Sequence, residues 1–128
     1  MWGDIEFAVA QWLKSQLPGV KLVNELPTDL TGSLPLVQVQ VIPGGGDDRI
    51  TDTVMVDVDS FAATRSLMWT LAGNVRTAMI AANGKSAAGI RFDTVDTESR
   101  PGYSSYANPG VRRAVATYRL TCRAQAPA

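Results

Sequence analysis

Three stretches of this chain alternate apolar and polar residues one by one. In Leu36-Val-Gln-Val-Gln-Val-Ile42, Val37, Val39 and Val41 fall on one side and Gln38 and Gln40 on the other. In Thr51-Asp-Thr-Val-Met-Val-Asp-Val-Asp59, Val54, Val56 and Val58 oppose Thr51, Thr53, Met55, Asp57 and Asp59. Near the end, Ala114, Ala116, Tyr118, Leu120 and Cys122 alternate with Arg113, Val115, Thr117, Arg119, Thr121 and Arg123. A period of two is that of a pleated strand, one face buried and the other solvated. The chain is therefore constrained to build a sheet with one covered face.

Helices supply the cover. Asp4 is placed to cap a first helix, in which Ile5, Ala8, Val9, Trp12, Leu13 and Leu17 recur at helical spacing before Pro18-Gly19 stops it. A short extended piece, Val20–Val23, leads to a loop over residues 27–35. The first two alternating stretches read as a hairpin, the second strand running from about Arg49 to Asp59. Pro43-Gly44-Gly45-Gly46-Asp47-Asp48 forms its flexible turn. A second helix is expected from near Phe61, capped by Asp59 or Ser60. Its buried stripe is Leu67, Leu71, Val75, Ala78, Met79 and Ala82, and Asn83-Gly84 closes it. The last third reads as strands over about Ile90–Glu98 and Val111–Arg123, separated by the loop Arg100-Pro-Gly-Tyr-Ser-Ser-Tyr-Ala-Asn-Pro-Gly110.

These elements predict a single α+β domain over residues 1–128, in the order α-β-β-β-α-β-β. Its sheet is mainly antiparallel, of four to five strands, with two helices packed on one face. Flexible loops are expected at about 43–49 and 100–110, and the tail 124–128 is expected to fray.

Composition narrows the chemistry. The 128 residues include no histidine and a single cysteine, Cys122. That removes the commonest general base and metal ligand, and any internal disulfide. No apolar run reaches the roughly 18–20 residues of a membrane span, so no membrane partner is expected. The start, Met1-Trp-Gly-Asp4, does not read as a signal peptide. Net charge is zero but uneven. Residues 1–60 hold nine acids and three bases, and residues 61–128 hold three acids and nine bases. Either the halves neutralise each other within one subunit, or acidic and basic surfaces meet between copies.

Candidate sites are few. Asp57 and Asp59 share a strand face, as two metal-binding carboxylates would, but no supporting acid–lysine cluster accompanies them. A carboxylate at a helix entrance is also stabilising for structural reasons alone. Gly84-Lys85-Ser86 follows a helix and lacks the earlier glycine of a phosphate loop. Cys122 lies on an apolar strand face and reads as a packed small residue. Arg112, Arg113, Arg119 and Arg123, with Tyr103, Tyr106 and Tyr118 nearby, suggest either nucleic acid or a protein interface. A sequence pI near 6.2 favours the interface. No metal and no cofactor is expected.

The sequence resembles the tail terminator (tail completion) proteins of long-tailed bacteriophages. The likeness rests on Asp4-Ile-Glu-Phe-Ala-Val-Ala-Gln-Trp-Leu-Lys-Ser-Gln-Leu-Pro-Gly-Val-Lys-Leu-Val-Asn24, on Val56-Asp-Val-Asp-Ser-Phe-Ala-Ala-Thr-Arg-Ser-Leu-Met-Trp-Thr-Leu-Ala-Gly-Asn-Val-Arg76, and on Asn108-Pro-Gly-Val-Arg-Arg-Ala-Val-Ala-Thr-Tyr-Arg-Leu-Thr-Cys-Arg123. It implies a non-enzymatic virion protein. Such proteins form a hexameric ring on the head-proximal end of the tail tube, stop its polymerisation and dock the head–tail connector. DNA passes through the lumen. On that footing Asp57, Asp59, Arg112, Arg113, Arg119 and Arg123 are candidate contacts between subunits. Gly44, Gly45, Gly46, Asp47, Asp48, Arg49, Tyr103 and Tyr106 are candidate docking-loop residues for tube or connector. The competing readings are another neck protein, such as a head-closure component or connector adaptor, and a small metal-dependent nuclease using Asp57 and Asp59.

Overall fold

The computed structural model describes residues 4–47 and 51–124. Helix α1 (Asp4–Gln16) is followed by β1 (Lys21–Val23), a 3-10 turn (Thr31–Ser33), β2 (Leu36–Asp47) and β3 (Asp52–Ala62). Helix α2 (Arg65–Ala81), β4 (Ser86–Ala87), β5 (Ile90–Ser104) and β6 (Arg112–Ala124) complete the chain. Of the tail expected over 124–128, Ala124 instead ends β6, paired with Ile90, and residues 125–128 lie outside the described residues. All strands join one six-stranded sheet in the order β1-β2-β3-β6-β5-β4. Pairing is antiparallel except between β1 and β2. The fold is α+β, as the alternation predicts. The sheet is wider than expected because Ser86–Ala87 doubles back on Ile90–Arg91 through a turn with positive φ at Ala88 and Gly89.

The main core lies between the helices and one sheet face. Val37 and Val39 of β2, Val54, Val56 and Val58 of β3, and Ala116, Tyr118, Leu120 and Cys122 of β6 are all buried there. They meet Ala8, Val9 and Leu13 of α1 and Leu71, Val75, Ala78 and Met79 of α2. Trp12 ties the helices together, its indole N–H donating to the Ala78 carbonyl at 2.8 Å. Helix α1 touches both outermost strands, β1 and β4, so the sheet bends around it. A smaller apolar cluster of Leu30, Leu36, Phe61 and Val111 sits at one end of the sheet, beneath Leu26, Leu34 and Tyr106.

Three expectations are corrected. Asp59 and Ser60 do not cap α2. The strand continues to Ala62 because Phe61 pairs with Leu36 on one side and Arg113 on the other. Thr64 is the cap, accepting from the Leu67 N–H at 3.2 Å. The later start turns Leu67 out to 57 % exposure and puts Met68 in the core.

The glycine-rich turn is also shorter than expected. Gly45, Gly46 and Asp47 pair with Val54, Thr53 and Asp52 beyond a bulge after Ile42. Gly45 has φ +79°, and a Cβ there would meet the Thr53 carbonyl oxygen at 1.9 Å. The third correction concerns residues 100–104, expected in a loop. They belong to β5, with register shifts absorbing the irregularity around Pro101.

Two substitutions test this account. Thr64→Ala should lower unfolding stability by about 1 kcal/mol, read from urea midpoints, through loss of the cap. Gly45→Ala should cost roughly 1–3 kcal/mol, since both its backbone conformation and the close Thr53 carbonyl oppose a side chain. An unchanged midpoint in either variant contradicts the corresponding assignment.

Candidate functional site

Period-two alternation leaves the sheet face opposite the main core bare along its middle. Strand register arranges that face in rows. One row is Gln40, Asp57, Thr117 and Ser99; a second is Gln38, Asp59, Val115 and Gly102; a third includes Met55, Arg119 and Asp96. Asp57 and Asp59 thus share one face, as the alternation predicts, but Asp59 lies within the strand rather than at its end. Arg113, Arg119 and Arg123 share that face on the neighbouring strand. Arg112 pairs with Ala62 and, one residue from Arg113, projects to the opposite face.

The two aspartates differ in environment. Asp57 accepts a hydrogen bond from the Thr117 hydroxyl at 2.6 Å. Asp59 is half-buried beside the Phe61 cluster, and its Oδ1 has no hydrogen-bond partner. Burial, then the neighbouring Asp57 charge, pushes the Asp59 carboxyl up to about 6, with the Arg113 guanidinium pulling the other way. Among the described residues no group of three or more His, Cys, Asp or Glu side chains is placed to hold a metal.

The arginines are engaged in different ways. Arg113 donates to the Ser104 hydroxyl and the Ser105 carbonyl at 3.0 Å each, and its guanidinium lies 5.3 Å from the Tyr106 ring centre. Arg112 donates to the Pro109 carbonyl at 2.9 Å. Arg123 pairs with Asp93 at 3.3 Å, and Arg91 pairs with the same carboxylate at 3.0 Å. Both ion pairs join residues of the basic second half, so neither brings the two halves of the sequence together. Arg119 is exposed between Met55 and Asp96, and its side chain forms no hydrogen bond or ion pair among the described residues.

The loop candidates separate as well. Gly44 is exposed and positive in φ, Gly46 and Asp47 are exposed, and Asp47 stands directly opposite Asp52. Asp48 and Arg49 lie outside the described residues. Tyr106 is an anchor, its ring edge-to-face with Phe61 at 5.6 Å. Tyr103 is 41 % exposed beneath the Arg65 guanidinium, which lies 4.2 Å from its ring centre. The turn at residues 105–111 and the Asp47–Asp52 pair that ends the β2–β3 ladder stand at opposite ends of the long strands.

Sequence reasoning missed one structural clamp. Asn83 accepts from the Val95 N–H at 2.8 Å and donates to the Val95 carbonyl at 3.1 Å, acting as a substitute strand partner at the edge of β5. An Asn-Gly pair after a helix reads only as a stop, so the sequence carried no further signal. Cys122 is buried, and burial together with Asp52, Asp4 and Asp93 pushes its thiol up to about 11. It is a packed residue rather than a thiolate.

No family model and no curated protein matches this chain. Among solved structures it is similar to a chain in the virion of a native gene transfer agent particle. The likeness has a TM-score of 0.66 and 17 % identity, and covers 94 % of this chain and 96 % of that one. It establishes a shared fold from end to end.

The Asp59 environment has a consequence for stability. Its pKa is higher folded than unfolded, so the native state holds the proton more tightly. Stability present below pH 3.8 is lost as pH rises through about 6. Asp59→Asn should remove that slope and exceed the parent at neutral pH by about 1 kcal/mol, allowing for solvent screening. Urea midpoints across the pH range measure this, and parallel pH profiles for the two proteins contradict it.

Proposed function

We propose that this chain is a structural virion protein of the tail-terminator kind. In this reading copies form a ring, six being the expected number, at the head-proximal end of the tail tube. The ring ends tube polymerisation and offers the surface on which the head–tail connector docks. The observation that carries the reading is the fold shared over nearly the whole length of both chains with a component of a gene transfer agent virion.

Two features of the molecule support it. The bare sheet face mixes carboxylates and arginines without a catalytic or metal constellation among the described residues. The Asp47–Asp52 end of the β2–β3 ladder and the turn at 105–111 stand at opposite ends of the strands. A terminator has to touch two different partners, the tube on one side and the connector on the other. Of the described loop candidates, Gly44, Gly45, Gly46 and Asp47 are exposed for such a contact. DNA would pass the ring without being held by it.

Purified protein added to tails assembled without it should bind one end of each tail, fix its length and make it competent to join heads. Electron microscopy of the mixtures reads all three. Protein that binds neither tube ends nor connector contradicts the proposal.

A further inference from the structure

The four long strands alternate in direction, β2 against β3, β3 against β6, and β6 against β5. The outer two, β2 and β5, therefore run opposite ways. Each is covered only at one end. Strand β1 pairs with Leu36–Gln38 of β2, and β4 pairs with Ile90–Arg91 of β5. Beyond those stretches single side chains take the place of a strand. Glu6 accepts the Val41 N–H at 2.9 Å on one edge, and Asn83 clamps Val95 on the other.

Exposed apolar side chains gather at these two edges. Six large ones stand out on the described surface: Phe7, Val41, Leu67, Trp69, Ile80 and Tyr103. Val41 lies on the β2 edge, and Phe7 follows Glu6, whose carboxylate binds that edge. Tyr103 lies on β5. Trp69 and Ile80 share a face of α2 with Arg65 by helical spacing, and Arg65 over Tyr103, with Asn83 just past the helix end on Val95, sets that face beside β5. Five of the six thus belong to one or the other edge, which scattered surface residues would not do.

We infer that the β5 edge with its α2 flank (Trp69, Ile80, Tyr103) receives the β2 edge with Phe7 and Val41 from a second copy of this chain. The contact rests on the ring reading given above and specifies its interface. Because β2 and β5 run oppositely, two copies in the same orientation present antiparallel edges to each other. The contact is head-to-tail, each copy using two different surfaces, as a ring requires. The bend of the sheet around α1 turns the two edges out of line, so successive copies rotate relative to one another, as a ring needs.

Two exposed-surface double variants test this. One carries Trp69→Lys with Ile80→Lys; the other carries Phe7→Lys with Val41→Lys. Thermal melts check that both keep the parent's fold. Sedimentation velocity, with microscopy on tail ends, follows assembly. The parent should form closed oligomers, and each variant alone should stay monomeric. Their equimolar mixture should give a dimer and nothing larger, since each copy retains one intact edge. Variants that still assemble overturn this interface and leave the ring reading intact. Monomeric variants whose mixture forms no dimer overturn the head-to-tail pairing. A parent that stays monomeric in solution and on tail ends overturns both.

Discussion

The ladder between β3 and β6 is the constraint on which the rest of the molecule depends. It runs without a register shift from Asp52 opposite Cys122 to Ala62 opposite Arg112. Because every residue is paired in step, the alternation of both strands is locked to the same faces. Val54, Val56 and Val58 meet Leu120, Tyr118 and Ala116 on the side that α1 and α2 cover. Asp57, Asp59, Arg113 and Arg119 are forced together on the other. A slip of one residue would put two aspartates under the helices and expose the valines. The charged face is thus a consequence of burying the apolar one.

Irregularity is relegated to the flanks. The β2–β3 ladder carries a bulge after Ile42, and β5 shifts register against β6 around Thr94, Ser99 and Gly102. Bulges and short outer strands weaken an edge as a template for indiscriminate pairing. Glu6 on Val41 and Asn83 on Val95 add side chains to that protection. An edge occupied at a few points and open elsewhere suits a contact that forms with one partner in one register.

The strands with clean alternation were legible in the sequence, as was α1, since a single period dominated each. The start of α2 was not. Ser60-Phe61-Ala62-Ala63 fits either a strand or a helix, and only Leu36 and Arg113 as partners of Phe61 decide for the strand. The longer strand moves the cap from Asp59 or Ser60 to Thr64 and puts Met68 rather than Leu67 in the core. Gly44–Gly46 and Pro101-Gly102 read as turns because glycine and proline usually mark them. Here they sit within paired strands, where bulges tolerate both. The residue types of the charged face were legible, but their partners were not. Nothing in sequence spacing shows that Arg123 and Arg91 share Asp93.

The strongly unequal charges of the two halves acquire a different meaning once the register is known. The first half contributes β2 and β3, the second β5 and β6, and the halves meet along the β3–β6 ladder. There Asp59 and Arg113 stand diagonally across, near enough for the guanidinium to oppose the rise in the Asp59 pKa, yet Asp59 Oδ1 and Arg113 Nε are both left without hydrogen-bond partners. Buried, unsatisfied polar atoms cost free energy unless another group meets them. Arg113 instead spends its donors on Ser104 and Ser105 and its face on Tyr106, holding the 105–111 turn against the sheet. Among the ion pairs of the described residues, Arg91 and Arg123 on Asp93 join only the second half to itself. The chain's acids and bases instead hold turns and edges: Arg113 fixes the 105–111 turn, and Glu6 occupies the β2 edge.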